Sequence, residues 1–393
     1  MSRPRLMIPG PVDVFDQPLE AVSQPVMAHY GKDWVSTYWE VIDLLQQVLK
    51  TRNRVILMPA SGSGAIDTVF GSMLCTGEKM LVVDNGSFSG LFRNIAKGYG
   101  IEVEFVSFPW GKPADPEGVR VYLSEHRDIR LVSVVANESS TGVVNPVRDL
   151  AEVVHEFDIP VFVDGVSAVG GFDLPVDEYG IDLCATVANK ALEGLAGVGI
   201  ISVSDRAWNV IEGRKNERHH GWYTNLSVWR WYQEHPDWRN RHPQPVTQPT
   251  GVIRALRASL RHILFEETLP VHFARCARAR DIVRAGLRNL GFSMLADDGC
   301  ASPTVTAVLS RPGTSGDEFL RYMAEERNTQ LGWMPGEYYG HGFRLGTMGR
   351  GRTDEYLRDF LLGVEAFLRS KGIDVPEGAG LVGFGAGAEA ATR

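Results

Sequence analysis

Cysteine is the scarcest informative residue: 393 residues carry four, Cys75, Cys184, Cys276 and Cys300. They are widely separated, form no C-x-x-C pair and have no histidines at zinc-ligand spacing. This argues against a disulfide framework and a Cys/His zinc quartet and fits a reducing compartment. Long apolar runs are lacking as well. No stretch approaches the roughly 20 residues of a membrane helix, and the opening Met1-Ser2-Arg3-Pro4-Arg5-Leu6 passes into Pro9-Gly10-Pro11 without an apolar signal core. A cytoplasmic location with no membrane partner is expected. Positive charge is in deficit, 40 Lys and Arg against 48 Asp and Glu for a net −8, and it is scattered, so no nucleic-acid partner is expected. His219-His220, His235 and His242 lack the i, i+4 spacing of a metal site, and neither a Walker loop nor a Gly-x-Ser-x-Gly elbow occurs.

What is present is an alternation. With 44% hydrophobic residues the chain can bury a large core and form two domains. An amphipathic helix is predicted over 38–49, then strands at 54–58, 80–83, 103–106, 131–135, 161–163 and 200–203. Helices are predicted after Gly64, over 90–98 and ending near Phe157. Short apolar strands alternating with helices predict an α/β fold with a mostly parallel sheet covered on both faces. Residues 206–249 are rich in Trp, His, Arg and Asn, including Trp222, Trp229, Trp231 and Trp238. They read either as a loop-rich excursion or as the lining of a site or interface. Helices over 251–267, 271–290, 317–326 and 353–371, with strands at 305–309 and 342–346, predict a smaller C-terminal α/β domain. The division is an arm 1–12, a large domain 13–250, a small domain 251–372 and a Gly/Ala-rich tail 373–393 expected to be mobile.

The chemistry gathers at strand ends. Lys190 follows Thr186-Val187-Ala188-Asn189 and precedes a small-residue turn, and Asp164 closes the apolar strand before it. A buried amine is driven toward its neutral, nucleophilic form. A lysine that binds pyridoxal phosphate as a Schiff base needs a second group, a carboxylate that keeps the pyridine nitrogen protonated. Alone, each residue reads equally as a solvated lysine and an ordinary strand-end acid. Ser61-Gly62-Ser63-Gly64-Ala65-Ile66-Asp67 opens a helix after a strand, where backbone N–H groups can cradle a phosphate. A dinucleotide loop would want glycine at Asp67, although Asp84 ends the next strand. Phe88, after Asn85-Gly86-Ser87, stacks on a flat ring or packs in the core. Asn137-Glu138-Ser139-Ser140-Thr141-Gly142 contacts a ligand or caps a helix. Arg344, in an apolar strand, binds a substrate carboxylate or closes an internal salt bridge.

Together these motifs resemble the class V aminotransferases of pyridoxal-phosphate fold type I, in the alanine/serine–glyoxylate aminotransferase branch. The likeness runs from Pro9-Gly10-Pro11 to about Lys371 through six motifs in order: that arm, Ser61 to Gly64, Glu138 to Gly142, Asp164, Lys190-Ala191-Leu192 and Phe343-Arg344-Leu345-Gly346. It implies that Lys190 carries the cofactor as a Schiff base, Asp164 pairs with its ring nitrogen, and Val166 packs against the ring. It further implies that Ser63, Gly64 and Ala65 hold the phosphate, Phe88 stacks, Ser139 contacts cofactor or substrate, and Arg344 takes the α-carboxylate. Thr247 resembles a threonine that reaches the phosphate from a neighbouring subunit, implying a homodimer with shared sites. Two departures concern the cofactor surroundings. Gln244 stands where some members have a phosphate-binding tyrosine, and Asn189 replaces the commoner glutamine, as in pyridoxamine–pyruvate aminotransferases.

The implied reaction moves an amino group from a small amino acid or amine to glyoxylate or pyruvate. Pyridoxamine–pyruvate or 2-aminoethylphosphonate transamination, a lyase, or a desulfurase using Cys300 are alternatives on the same fold. A nicotinamide-dependent oxidoreductase and a non-catalytic binding module lie outside it.

Overall fold

The apolar runs of the first half are each long enough for one strand, and their residues alternate between two cores. In the computed structural model, which describes residues 3–213 and 221–385, Val55 and Leu57 pack into one core while Ile56 and Met58 pack into the other. That is the two-residue period of a strand buried on both faces. Seven strands make the main sheet, the edge strand Glu102–Ser107 half-exposed: β1 Arg54–Met58, β2 Lys79–Asp84, β3 Glu102–Ser107, β4 Ile129–Val135, β5 Val161–Asp164, β6 Leu183–Val187 and β7 Gly199–Val203. Their order across the sheet is β1-β7-β6-β5-β4-β2-β3. All neighbours run parallel except β7, which is antiparallel to both β1 and β6.

Helices Lys32–Leu49, Val147–His155 and Thr250–Arg261 pack on one face, and Gly62–Met73, Ser87–Gly98, Asp205–Gly213 and Leu226–Glu234 on the other. One further helix, Pro116–Glu125, buries only Val119 and Leu123, a stripe too thin to announce itself in the sequence. The interval from Asp164 to Lys190 holds a crossover built of turns and then β6. The topology brings the ends of β1, β2, β4, β5 and β6 to one edge, where ligands bind in open α/β sheets.

The small domain is an antiparallel sheet in the order Ser293–Met294, Val305–Leu309, Gly342–Gly346, Gly332–Trp333. Helices Leu269–Asn289, Gly316–Arg327 and Asp354–Ser370 pack against it. The arm is part of this unit: Arg5–Leu6 pairs with Thr329–Gln330, and Met7 is buried in the core.

Three expectations need correction. The tail is not loose from 373 to 385: Val375 is buried, and the turns Ala379–Leu381 and Val382–Gly385 lie on helix Leu269–Asn289. Small residues there permit close backbone approach, with Gly380 N–H donating to Glu365 Oε1 at 2.8 Å. The end of the tail and His219-His220 lie outside the described residues. The helix expected over 251–267 stops being α-helical at Arg261 and continues as a π-helical turn, His262–Glu267, which presents Glu267 to buried Arg352. Within 206–249 the loop-rich reading gives way to helix Leu226–Glu234, begun by an Asn225 cap and pinned by buried Trp229. Trp222 and Trp231 are exposed.

Candidate active site

Lys190 leaves β6 on a tight turn in which Glu193 N–H donates to Lys190 O and Gly194 N–H to Ala188 O, both at 2.9 Å. Its amine donates to the carbonyl of Pro9 in the arm. A Cβ on Gly10, whose φ is +119°, would stand 2.6 Å from Lys190 Nζ, so the arm can cross the amine only as glycine. Burial lowers the lysine pKa to about 8, the positive charge of Arg344 adds to that, and Asp164 opposes it.

Asp164 ends β5, is 5% exposed, and accepts the Val166 N–H at 2.8 Å. Burial pushes its pKa up to about 7, the nearby Glu138 charge adds to the rise, and Lys190 opposes it. Among the described residues it has no ion-pair partner within salt-bridge distance.

Arg344 is buried and, among the described residues, has no carboxylate within salt-bridge distance. Its Nε donates to Trp333 O at 2.9 Å and its Nη1 to Ser139 O at 3.0 Å. Burial lowers its pKa to about 10 against the pull of Glu138. The internal salt bridge weighed for it is therefore not formed: its partners are neutral carbonyl oxygens. Ser139 is buried and meets Arg344 through its backbone.

Glu138, given no role of its own in the sequence beyond membership of a motif, ties the rim together. It accepts N–H groups of Phe88 at 3.2 Å, Ser89 at 3.4 Å and Ser140 at 3.0 Å, and the Ser140 hydroxyl. Phe88, half-buried in the first turn of helix Ser87–Gly98, is thereby fixed. Burial raises the Glu138 pKa. The signal available in the sequence was an acid inside a polar turn directly after a buried strand.

At the end of β1, Ser61 caps helix Gly62–Met73 by accepting Gly64 N–H at 3.2 Å. Ser63 is exposed at the helix mouth, whereas Ala65 is buried and its N–H already donates to Ser61 O. A Cβ on Gly62 would approach Val166 to 2.8 Å, so the helix mouth and the Asp164 turn share one wall.

Residues 17–263 match the family profile described as "Aminotransferase class-V". The chain belongs to this family of pyridoxal-phosphate-dependent transferases. An uncharacterised aminotransferase of Methanocaldococcus jannaschii is 34% identical over 95% of this chain and 94% of its own. The serine–glyoxylate aminotransferase of Methylorubrum extorquens is 28% identical over 97% and 94%. The crystal structure of ureidoglycine–glyoxylate aminotransferase from Bacillus subtilis superposes with a TM-score of 0.90 at 26% identity, covering 97% of both chains. The fold is that of fold-type-I aminotransferase structures.

The family's cofactor fits the residues present. A buried acid with no cation partner among the described residues, a half-buried lysine amine held under the arm and a helix mouth with an exposed serine are the donor set that a protonated pyridine, a carbonyl carbon and a phosphate require. The family match takes the place of the nicotinamide reading, whose acid Asp84 accepts the Ser89 hydroxyl and, at 3.0 Å, the Ser107 hydroxyl. Cys300 is half-buried and burial raises its thiol pKa, the opposite of what a persulfide-forming thiolate needs.

Two sequence candidates stand apart from this cluster. Gln244 is buried and held at both ends of its amide, accepting Trp34 Nε1–H at 3.1 Å and donating to His29 O at 2.8 Å. Thr247 is exposed. Asn189 is half-buried, and its carbonyl accepts Val12 N–H at 3.2 Å.

Proposed function

We propose that this class V aminotransferase moves an amino group from a small amino acid or amine to glyoxylate or pyruvate, using pyridoxal 5'-phosphate. The observation that carries the reading is a trio of charges without a counter-ion at contact distance among the described residues: Lys190 and Asp164 at the rim of the main sheet, and Arg344 brought to that rim from a small-domain strand by its bond to Ser139 O. When bound, the cofactor supplies an electron sink for the pair left at the substrate α-carbon. Lys190 Nζ would anchor the cofactor and then act as the base that takes the substrate α-proton and delivers it, on the same face, to the cofactor's C4′ position. A pKa near 8 leaves part of the amine neutral at physiological pH. Asp164 would keep the ring nitrogen protonated, Val166 and Phe88 would pack the ring, and Ser63 and Gly64, with Ala65 beneath them, would hold the phosphate. Arg344 holds the carboxylate of donor and acceptor in turn, steered by Ser139 O. Asn189 sets the arm against the lysine turn.

Thr247 completes the phosphate site from a second copy, so the active form is a homodimer with shared sites; its exposure in the single chain supports this.

The test is the visible spectrum of the purified protein before and after serine, alanine, glycine, 2-aminoethylphosphonate or pyridoxamine. One donor should bleach the yellow colour, and glyoxylate or pyruvate should restore it. A protein that stays colourless with added pyridoxal phosphate sinks the proposal.

A further inference from the structure

Three residues after Lys190 stands a second acid that the reaction does not use. Glu193 is buried and has φ +56°, a left-handed conformation that favours glycine. Its Oε1 accepts Gly349 N–H at 2.9 Å and Arg352 Nε–H at 2.8 Å, and its Oε2 accepts Arg352 Nη2–H at 3.3 Å. Its own carbonyl accepts the Ser259 hydroxyl at 2.9 Å. Gly349 and Arg352 belong to the loop that directly follows the strand carrying Arg344.

The same loop closes a circuit through the arm. Arg350 N–H donates to Asp13 O at 2.7 Å, Val12 N–H donates to Asn189 O, and Lys190 itself donates to Pro9 O. We propose that the Glu193–Arg352 ion pair is a positioning device for transamination: it locks the lysine turn to the loop behind Arg344 and so sets the distance between the proton-moving amine and the carboxylate-holding guanidinium. The role assigned to each end rests on the function proposed above.

Two observations separate this from simple charge neutralisation. Arg352 already has a full carboxylate in Glu267, whose oxygens accept Nη2–H at 3.0 and 3.1 Å and which is itself bonded to His272 Nδ1 at 2.6 Å. Removing Glu193 therefore strands no buried guanidinium. The turn alone would be served better by glycine, so the residue is there for its carboxylate.

The experiment compares full-length wild type with Glu193→Gly, which relaxes the turn and removes the carboxylate, and Glu193→Gln, which keeps the size. Donor KM and kcat, melting temperature, and the pH midpoint of acetic anhydride labelling of Lys190 in cofactor-free protein are measured for each. Glu193→Gly is expected to melt within about 3 °C of wild type or higher. Its donor KM should rise about tenfold while kcat changes less than about threefold. Its Lys190 midpoint should move up toward that of an ordinary lysine, and Glu193→Gln should fall between. Unchanged donor KM and unchanged labelling midpoint in Glu193→Gly overturn the proposal. If Glu193→Gly does not fold, Glu193→Gln is judged by the same two readouts. If the wild type turns over no donor, the proposed function fails, and the labelling midpoint still decides whether Glu193 positions Lys190.

Discussion

Two buried charged clusters lie three residues apart along one turn, and they are built on opposite rules. Around Lys190, each charge is left without a counter-ion at contact distance: Asp164 accepts a backbone N–H, and Arg344 donates to two carbonyls. Around Glu193, each charge is matched, with Arg352 shared between Glu193 and Glu267. Burial taxes an ion heavily unless it is paired. The matched cluster behaves as framework. The unmatched one is a set of charges reserved for a ligand that brings its own, and pKa values displaced toward neutrality at Lys190 and Asp164 are the mark of that reservation.

The contrast breaks most visibly at Lys190. Lys190→Ala removes both anchor and base and should lower kcat by about 10⁴-fold or more in steady-state transamination, with the fold intact by circular dichroism. Arg344→Gln comes next: kcat/KM for donors bearing a carboxylate should fall about 100-fold, whereas a donor without one, such as pyridoxamine, should be far less affected. Equal losses on both donors would remove the carboxylate assignment.

Removing the shared cation of the matched cluster, as distinct from Glu193, should damage stability first. Arg352→Met leaves buried Glu193 without its cation, while Glu267 keeps Arg275 and His272, and should cost about 3 kcal/mol in urea unfolding at neutral pH, a larger loss than Arg344→Gln causes. The smallest effect has the opposite sign. The folded chain holds Asp164 with a pKa of about 7 against an ordinary 3.8, so it binds more protons than the unfolded chain between those values. The cost of burying this acid is therefore fully present above about pH 7 and absent below about pH 4, and stability falls as pH rises through that window. Asp164→Asn in cofactor-free protein should raise the melting temperature at pH 8 by a few degrees, a gain that fades as the pH approaches 4. A gain independent of pH would mean the carboxyl is not strained.

Much of this was legible in advance because local periodicity and strand-end position are local properties. The strands at 54–58, 161–164 and 342–346 and the helix opening at Gly62 stand within a residue or two of where apolar alternation put them. The missed helix Pro116–Glu125 and the π-turn at His262–Glu267 had no such signature. One buries two side chains, and the other is bent by a partner 85 residues away in sequence. Glu193 was passed over, and Glu138 was noted only as one residue of a motif, for the same reason: a buried acid looks like any acid until its donors are known.

The amino-acid sequence by itself determined the alternating α/β architecture, the order of the motifs and the kinship with class V aminotransferases, because these depend on residue type and spacing along the chain. Only the tertiary structure decided which charges are matched. It gave Arg344 carbonyls instead of a carboxylate, closed Gln244 on Trp34 and His29, and joined Glu193 to Arg352 across the two domains. Pairing is a property of distance in space, and residues 159 apart in the chain meet there through the fold alone.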